Sequence, residues 1–238
     1  MRASELPFVG IGDERVASRF RRPTPGPEFE LLSRYLERSL PVPNPEERMA
    51  VFVEPRLETG CPDAVAVYWR PDGTECMRTL EALTVSDDRL VQFVWVAGSV
   101  RRAALVDQLG PAAAKRAREL VEMGLLSEVD GEEICVAQHS LVLSRLIAIE
   151  AKLGGPSSAL SQAARNTWFA SESFALLPNL PTASSLCARY KACGVGILTP
   201  GDQVSDPSLP ARRQGLPQSH VTWRFNRLAR QLSAQGAA

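Results

Sequence analysis

Two short segments of this chain carry residues that could do chemistry together. In Ile147-Ala148-Ile149-Glu150-Ala151-Lys152-Leu153 two opposite charges interrupt an apolar run. Strand alternation puts residues 150 and 152 on one face and Ala151 on the other, so carboxylate and ammonium share one spot. The run is apolar on both faces, as a covered central strand would be. Charge there is costly unless it is paired or bound to a metal. A solvated strand face is the competing explanation for a Glu-x-Lys pair. In Cys61-Pro62-Asp63-Ala64-Val65-Ala66-Val67-Tyr68 an aspartate stands at the mouth of a hydrophobic strand, just after Gly60. Taken alone, that Pro-Asp pair reads as turn chemistry, the usual role of such a dipeptide before a strand.

The basic residues sharpen the first segment. Of 27 lysines and arginines only three are lysine, at positions 115, 152 and 191. A lysine in the Glu-x-Lys position is therefore a departure from the chain's habit. Lysine supplies a compact, titratable ammonium where arginine supplies a permanently charged fork.

Together, Pro62-Asp63 and Glu150-Ala151-Lys152 resemble the Pro-Asp…(Asp/Glu)-x-Lys pattern of the PD-(D/E)xK, or restriction-endonuclease-like, nuclease superfamily. The resemblance covers roughly residues 28 to 70 and 145 to 200. It implies an α/β fold, a restriction-endonuclease-like mixed sheet flanked by helices. It also implies that Asp63 and Glu150 are hard oxygen ligands for Mg²⁺, with Mn²⁺ able to substitute. Lys152 would orient or deprotonate the attacking water, or stabilise the pentavalent phosphorus. Glu54 and an acid of the first helix, Glu30 or Glu28, would stand near the metal, each with a surface acid as the plainer reading. Gln162 and, one turn on, Arg165 would face the site from the helix after the Glu-x-Lys strand, Arg165 meeting a phosphate or lying on a solvated face. One departure is that 87 positions separate Asp63 from Glu150, many more than such nucleases usually place there.

The elements that must position these residues can be read from periodicity and breakers. Four prolines and scattered arginines make residues 1–27 an irregular arm. A helix is predicted over 28–40, stopped by Pro41, Pro43 and Pro45, and a hairpin over 49–53 and 64–69. A nuclease core would then comprise 28–79 and 141–205, with a strand over 145–153, helix 157–169, strand 173–177, helix 183–193 and strand 195–199. In the helix over 157–169, Leu160, Ala163, Ala164, Thr167 and Trp168 form the apolar stripe.

Residues 80–140 read as an inserted small α+β domain: helices over 87–97, 101–109 and 111–123, then a hairpin turning at Asp130-Gly131. That order resembles a winged helix-turn-helix. A hairpin tip accepts such an insert when its ends return close together, which accounts for the 87-residue gap. Lys115, Arg116 and Arg118 on the third helix could touch a DNA backbone. The acidic wing, with Glu128, Asp130, Glu132 and Glu133, would repel one and points instead to a homodimer or protein partner. The tail, 206–238, is basic from Ala211 on, with Arg224 and Arg227 placed either for nucleic-acid contact or on the wet face of a packed helix.

Bulk properties bound the function. Acidic and basic residues balance at 27 each, so no global field draws the chain to nucleic acid or an anionic membrane. Five cysteines without a C-x-x-C pair and two distant histidines argue against a disulfide framework and a zinc site. The longest apolar stretch, around 91–100, is too short to span a bilayer, and no signal peptide is legible. The expectation is a cytoplasmic, Mg²⁺-dependent nuclease hydrolysing phosphodiester bonds in nucleic acid, DNA before RNA, in repair or defence. The alternative is a non-catalytic DNA- or protein-binding regulator that uses the winged-helix-like insert on a nuclease-like scaffold.

Overall fold

The structure is a computed structural model, and it describes residues 8–9, 20–58, 60–71 and 83–235. The chain divides into two compact units, Met1–Arg70 with Ser144–Pro217, and Pro71–Leu143 with Gln218–Ala238.

The first unit is α/β. Its mixed sheet has six strands in the order β1-β2-β3-β7-β8-β9. These are Phe8–Val9, Arg48–Val53, Ala64–Trp69, Leu143–Ala151, Glu172–Leu176 and Gly196–Leu198. β2 and β3 form the predicted antiparallel hairpin, with Val53 opposite Ala64. β7, β8 and β9 run parallel. Parallel strands are covered on both faces, and the burial pattern shows it: Phe174 and Leu176 of β8 pack with Leu32 and Tyr35 of α1 (Pro27–Ser39). Ala175 and Leu177, which point the other way, pack with α5 (Pro156–Asn166) and α6 (Ser184–Cys193). Helices thus flank both faces of the sheet.

The N-terminal arm departs from expectation where it is described. Phe8–Val9 pairs with β2 in parallel as β1, because the outer edge of β2 offers unpaired backbone groups. The predicted stripe of α5 also shifts. Its buried residues are Ala159, Leu160, Ala163 and Asn166, while Thr167 caps the helix and Trp168 lies beyond it.

The second unit contains α2 (Val85–Ala97), β4 (Ser99–Arg101), α3 (Arg102–Leu109), α4 (Pro111–Glu122), β5 (Leu126–Val129) and β6 (Glu133–Val136). The three strands form an antiparallel sheet, β4-β6-β5. β4 was not legible in the sequence, since three residues are too few to show alternation. Leu90, Val94, Leu105, Leu120, Leu126 and Ile134 share one core.

That core also takes Trp223 of α7 (His220–Gln235), which corrects the reading of 206–238 as a single tail. Residues through Pro217 belong to the first unit, and α7 belongs to the second. α7 is stapled by Asn226, whose side chain accepts from Val142 N (2.8 Å) and donates to Ser140 O (2.7 Å). Among the described residues no helix is long and apolar enough to cross a membrane. Cys61, Cys135, Cys187 and Cys193 are free thiols; Cys76 lies outside the described residues.

Candidate active site

β7 ends at Ala151, and its last turn of ladder brings three chain segments together. Asp63, one residue before β3, accepts a hydrogen bond on Oδ2 from Ala151 N (2.8 Å). This ties the mouth of the hairpin to the end of β7. Asp63, Glu150 and Lys152 then line one cavity of about 220 Å³, together with Arg21, Gln162, Arg165 and Asn166. The two motif halves, 87 positions apart in the chain, meet there.

Glu150 points to the α5 side of the sheet and is only 6 % exposed. Asn166, the last residue of α5, donates to its Oε1 (2.8 Å). Burial, followed by the nearby charge of Asp63, raises the Glu150 carboxyl from its ordinary 4.5 to about 7, against the opposing pull of Asn166, Lys152 and Arg165. Burial also raises Asp63 above the usual carboxylate range, and Ala151 N, Lys152 and Arg21 only partly offset it. The cost of burying an ion dominates both, because opposite charges near by do not fully replace lost hydration.

Lys152 follows the strand, with its own N–H donating to Leu176 O (3.0 Å). Its Nζ donates to Glu28 Oε2 (3.0 Å), and Glu28 Oε1 accepts from Leu153 N (3.3 Å). Burial works against the ammonium, but its hydrogen bond to Glu28 and the charges of Glu28, Asp63 and Glu150 hold it above its ordinary value. Of the two acids considered on α1, Glu28 therefore reaches the site. Glu30 instead pairs with exposed Arg34 at i,i+4.

Glu54 follows β2 in a left-handed conformation (φ 51°), uncommon for a residue other than glycine. Its carboxylate is buried and pairs with Arg21. Burial and Asp63 raise its pKa above the ordinary value. Gln162 lies on the cavity wall, and its Oε1 is buried with no hydrogen-bond partner among the described residues.

Two contributors were missed by the sequence. Asn166 lay outside the predicted apolar stripe, although its place four residues after Gln162, on the same helix face, was an available signal. Arg21 sat in a proline-rich arm with no periodicity to mark it.

The residues read as nucleic-acid contacts have different fates. Lys115 and Arg118 are exposed on α4. Arg116 binds Asp87 through two hydrogen bonds (2.6 and 3.1 Å) and also pairs with Glu119. Arg227 is 6 % exposed and clasps Asp88 (3.0 and 3.3 Å), so it is not on a wet face. Arg224 is half-buried. The row of tail arginines is thus broken up, because α7 turns its basic side into the second unit.

Among the described residues no three or more His, Cys, Asp or Glu side chains form a ready metal cluster. Two carboxylates are nevertheless the donor set that Mg²⁺ prefers, with water and phosphate oxygens filling its remaining positions. Asp63 and Glu150 fit that requirement. In comparisons with known proteins, no family model, curated protein or solved structure matches the chain.

Proposed function

We propose that the chain is a divalent-metal-dependent nuclease of the restriction-endonuclease-like kind, hydrolysing phosphodiester bonds in DNA within the cytoplasm, in repair or defence. One observation carries the reading: Asp63, Glu150 and Lys152, from segments far apart in the chain, line a single cavity in which both carboxylates are largely removed from water.

Asp63 and Glu150 would hold Mg²⁺, or Mn²⁺ in its place. When bound, the metal neutralises charge on the scissile phosphate and makes a water molecule easier to ionise. The chain's own residues do the rest. Asn166 fixes Glu150 through Oε1. Ala151 N holds Asp63 by Oδ2. Lys152, kept protonated by Glu28, serves better as a charged donor to a phosphate oxygen or to the attacking water than as a base. Arg165 supplies a further cation at the cavity wall where a phosphate would enter.

The second unit would supply substrate contact. Its order α2-β4-α3-α4-β5-β6 resembles a winged helix-turn-helix, and the exposed Lys115 and Arg118 of α4 would offer phosphate contacts. The acidic wing is partly neutralised within the unit, Arg102 binding Glu128.

The test is to incubate the purified chain with supercoiled, linear, single-stranded and branched DNA and with RNA, in Mg²⁺, Mn²⁺ or EDTA. Asp63→Ala and Lys152→Ala proteins are run in parallel. Metal-dependent cleavage that both substitutions abolish is the expected result; cleavage that survives them overturns the assignment. A wild type that shifts DNA without cutting it, and a shift lost on removing Lys115 and Arg118, would favour a binding regulator.

A further inference from the structure

The chemistry above leaves Arg21 without a task, yet its guanidinium lies against two of the acids, Glu54 and Asp63. It forms an ion pair with Glu54 and stands 3.7 Å from Asp63 Oδ1, the oxygen that Ala151 N does not take. It lines both the 220 Å³ cavity and a neighbouring one of about 240 Å³, which also holds Glu28, Glu54 and Lys152. The Arg21 side chain is 48 % exposed, whereas those of Glu54 and Asp63 are 7 % and 17 % exposed. A cation therefore reaches inward from solvent onto buried carboxylates. Its backbone is pinned, Arg21 N donating to Glu54 O (2.8 Å) and Phe20 bridging Pro55.

This arrangement has a consequence for any metal at Asp63. Guanidinium is always charged, and two cations drawn to one carboxylate repel each other with little screening where water is scarce. The side chain is long and half in solvent, so it can leave while its backbone stays. We propose that Arg21 is a built-in counter-ion of Asp63 and Glu54 that a divalent cation must displace, so that Arg21 sets the metal concentration at which the site loads. The inference rests on the metal site proposed above.

Its test is metal binding without nucleic acid. The full chain, buffered above neutrality, is titrated with Mn²⁺ and followed by electron paramagnetic resonance. The variants are Arg21→Gln, Arg21→Lys, Asp63→Asn and, as a control on the α1 surface, Arg34→Gln. Removing the resident charge should tighten Mn²⁺ binding about tenfold, within the usual range of coupling between two sites. Arg21→Lys, which keeps the charge, should stay within about threefold of wild type, and Arg34→Gln should match it. Mn²⁺ binding by Arg21→Gln that equals or falls below wild type overturns the counter-ion role. Should Arg21→Gln melt early, the wild type carries the test. The Arg21 Nε–H resonance must then shift on adding Mg²⁺, and an unmoved signal overturns the proposal. If Asp63→Asn abolishes binding while Arg21→Gln leaves it unchanged, only this inference fails; if no protein binds Mn²⁺, the metal site fails with it.

Discussion

Asp87 and Asp88 in the second unit and Glu54, Asp63 and Glu150 in the first are all carboxylates with little solvent contact, yet they are partnered in opposite ways. Asp87 accepts from Thr84 N (2.7 Å) in a capping box at the start of α2, and Arg116 holds it from α4. These partners outweigh burial and draw its carboxyl below the ordinary range. Asp88 has a dedicated guanidinium in Arg227, although its deeper burial still leaves its carboxyl raised. In the first unit burial raises all three, and the charge of Asp63 raises Glu54 and Glu150 further, while Glu28 adds to the rise at Asp63. Each aspartate of the second unit joins two helices and is a structural link. The first-unit acids cost stability where they stand, which is expected of groups kept for a function.

Several substitutions would break or sharpen this contrast. Glu150→Gln should leave the fold intact and lower metal-dependent cleavage by roughly 10³-fold or more, the scale of losing a principal charged group in catalysis; a DNA cleavage assay beside a thermal melt checks both halves. Asp88→Ala should do the reverse. It leaves Arg227 buried and unpaired at a cost of about 3 kcal/mol, readable by chemical denaturation, while the first unit keeps its metal affinity. Asn166→Leu removes the hydrogen bond that orients Glu150 and should weaken Mn²⁺ binding roughly tenfold, as a titration would show.

Glu150 and Asp87 should also differ in the sign of their pH dependence in the metal-free protein. Glu150 binds its proton more tightly folded than unfolded, so its contribution is complete below about 4.5 and is lost as pH rises towards about 7. Asp87 has a lowered folded pKa, so its contribution is present above its ordinary 3.8 and is lost as pH falls through the folded value. Melting temperatures across this range should follow that pattern, and Glu150→Gln should flatten only the upper limb. The smallest effect belongs to Thr84→Ala, which removes a helix cap worth about 1 kcal/mol and should leave metal binding untouched.

Much of the scaffold was legible without coordinates. The hairpin at 49–69, the apolar strand read over 145–153, which in the structure runs Leu143–Ala151, and the helices bounded by prolines and glycines follow from periodicity and backbone restriction, which are local properties. The pairing of Asp63 with Glu-x-Lys was also visible as a pattern of residue types. What the pattern left open was whether the charges meet, which of Glu28 and Glu30 reaches Lys152, and what holds Glu150. Those depend on where α1 and α5 lie against the sheet, a matter of packing between segments, 124 residues apart for Glu28 and Lys152 and 16 for Glu150 and Asn166. The tail shows the same limit from the other side. Its arginine spacing predicted a basic face, and only the tertiary fold turned that face inward, because a buried Asp88 and the carbonyls of His139 and Ser140 accept hydrogen bonds from Arg227 and Arg230. Local sequence determines which groups an element carries and which of its faces they share; only the folded neighbours decide whether those groups meet water, a metal or each other.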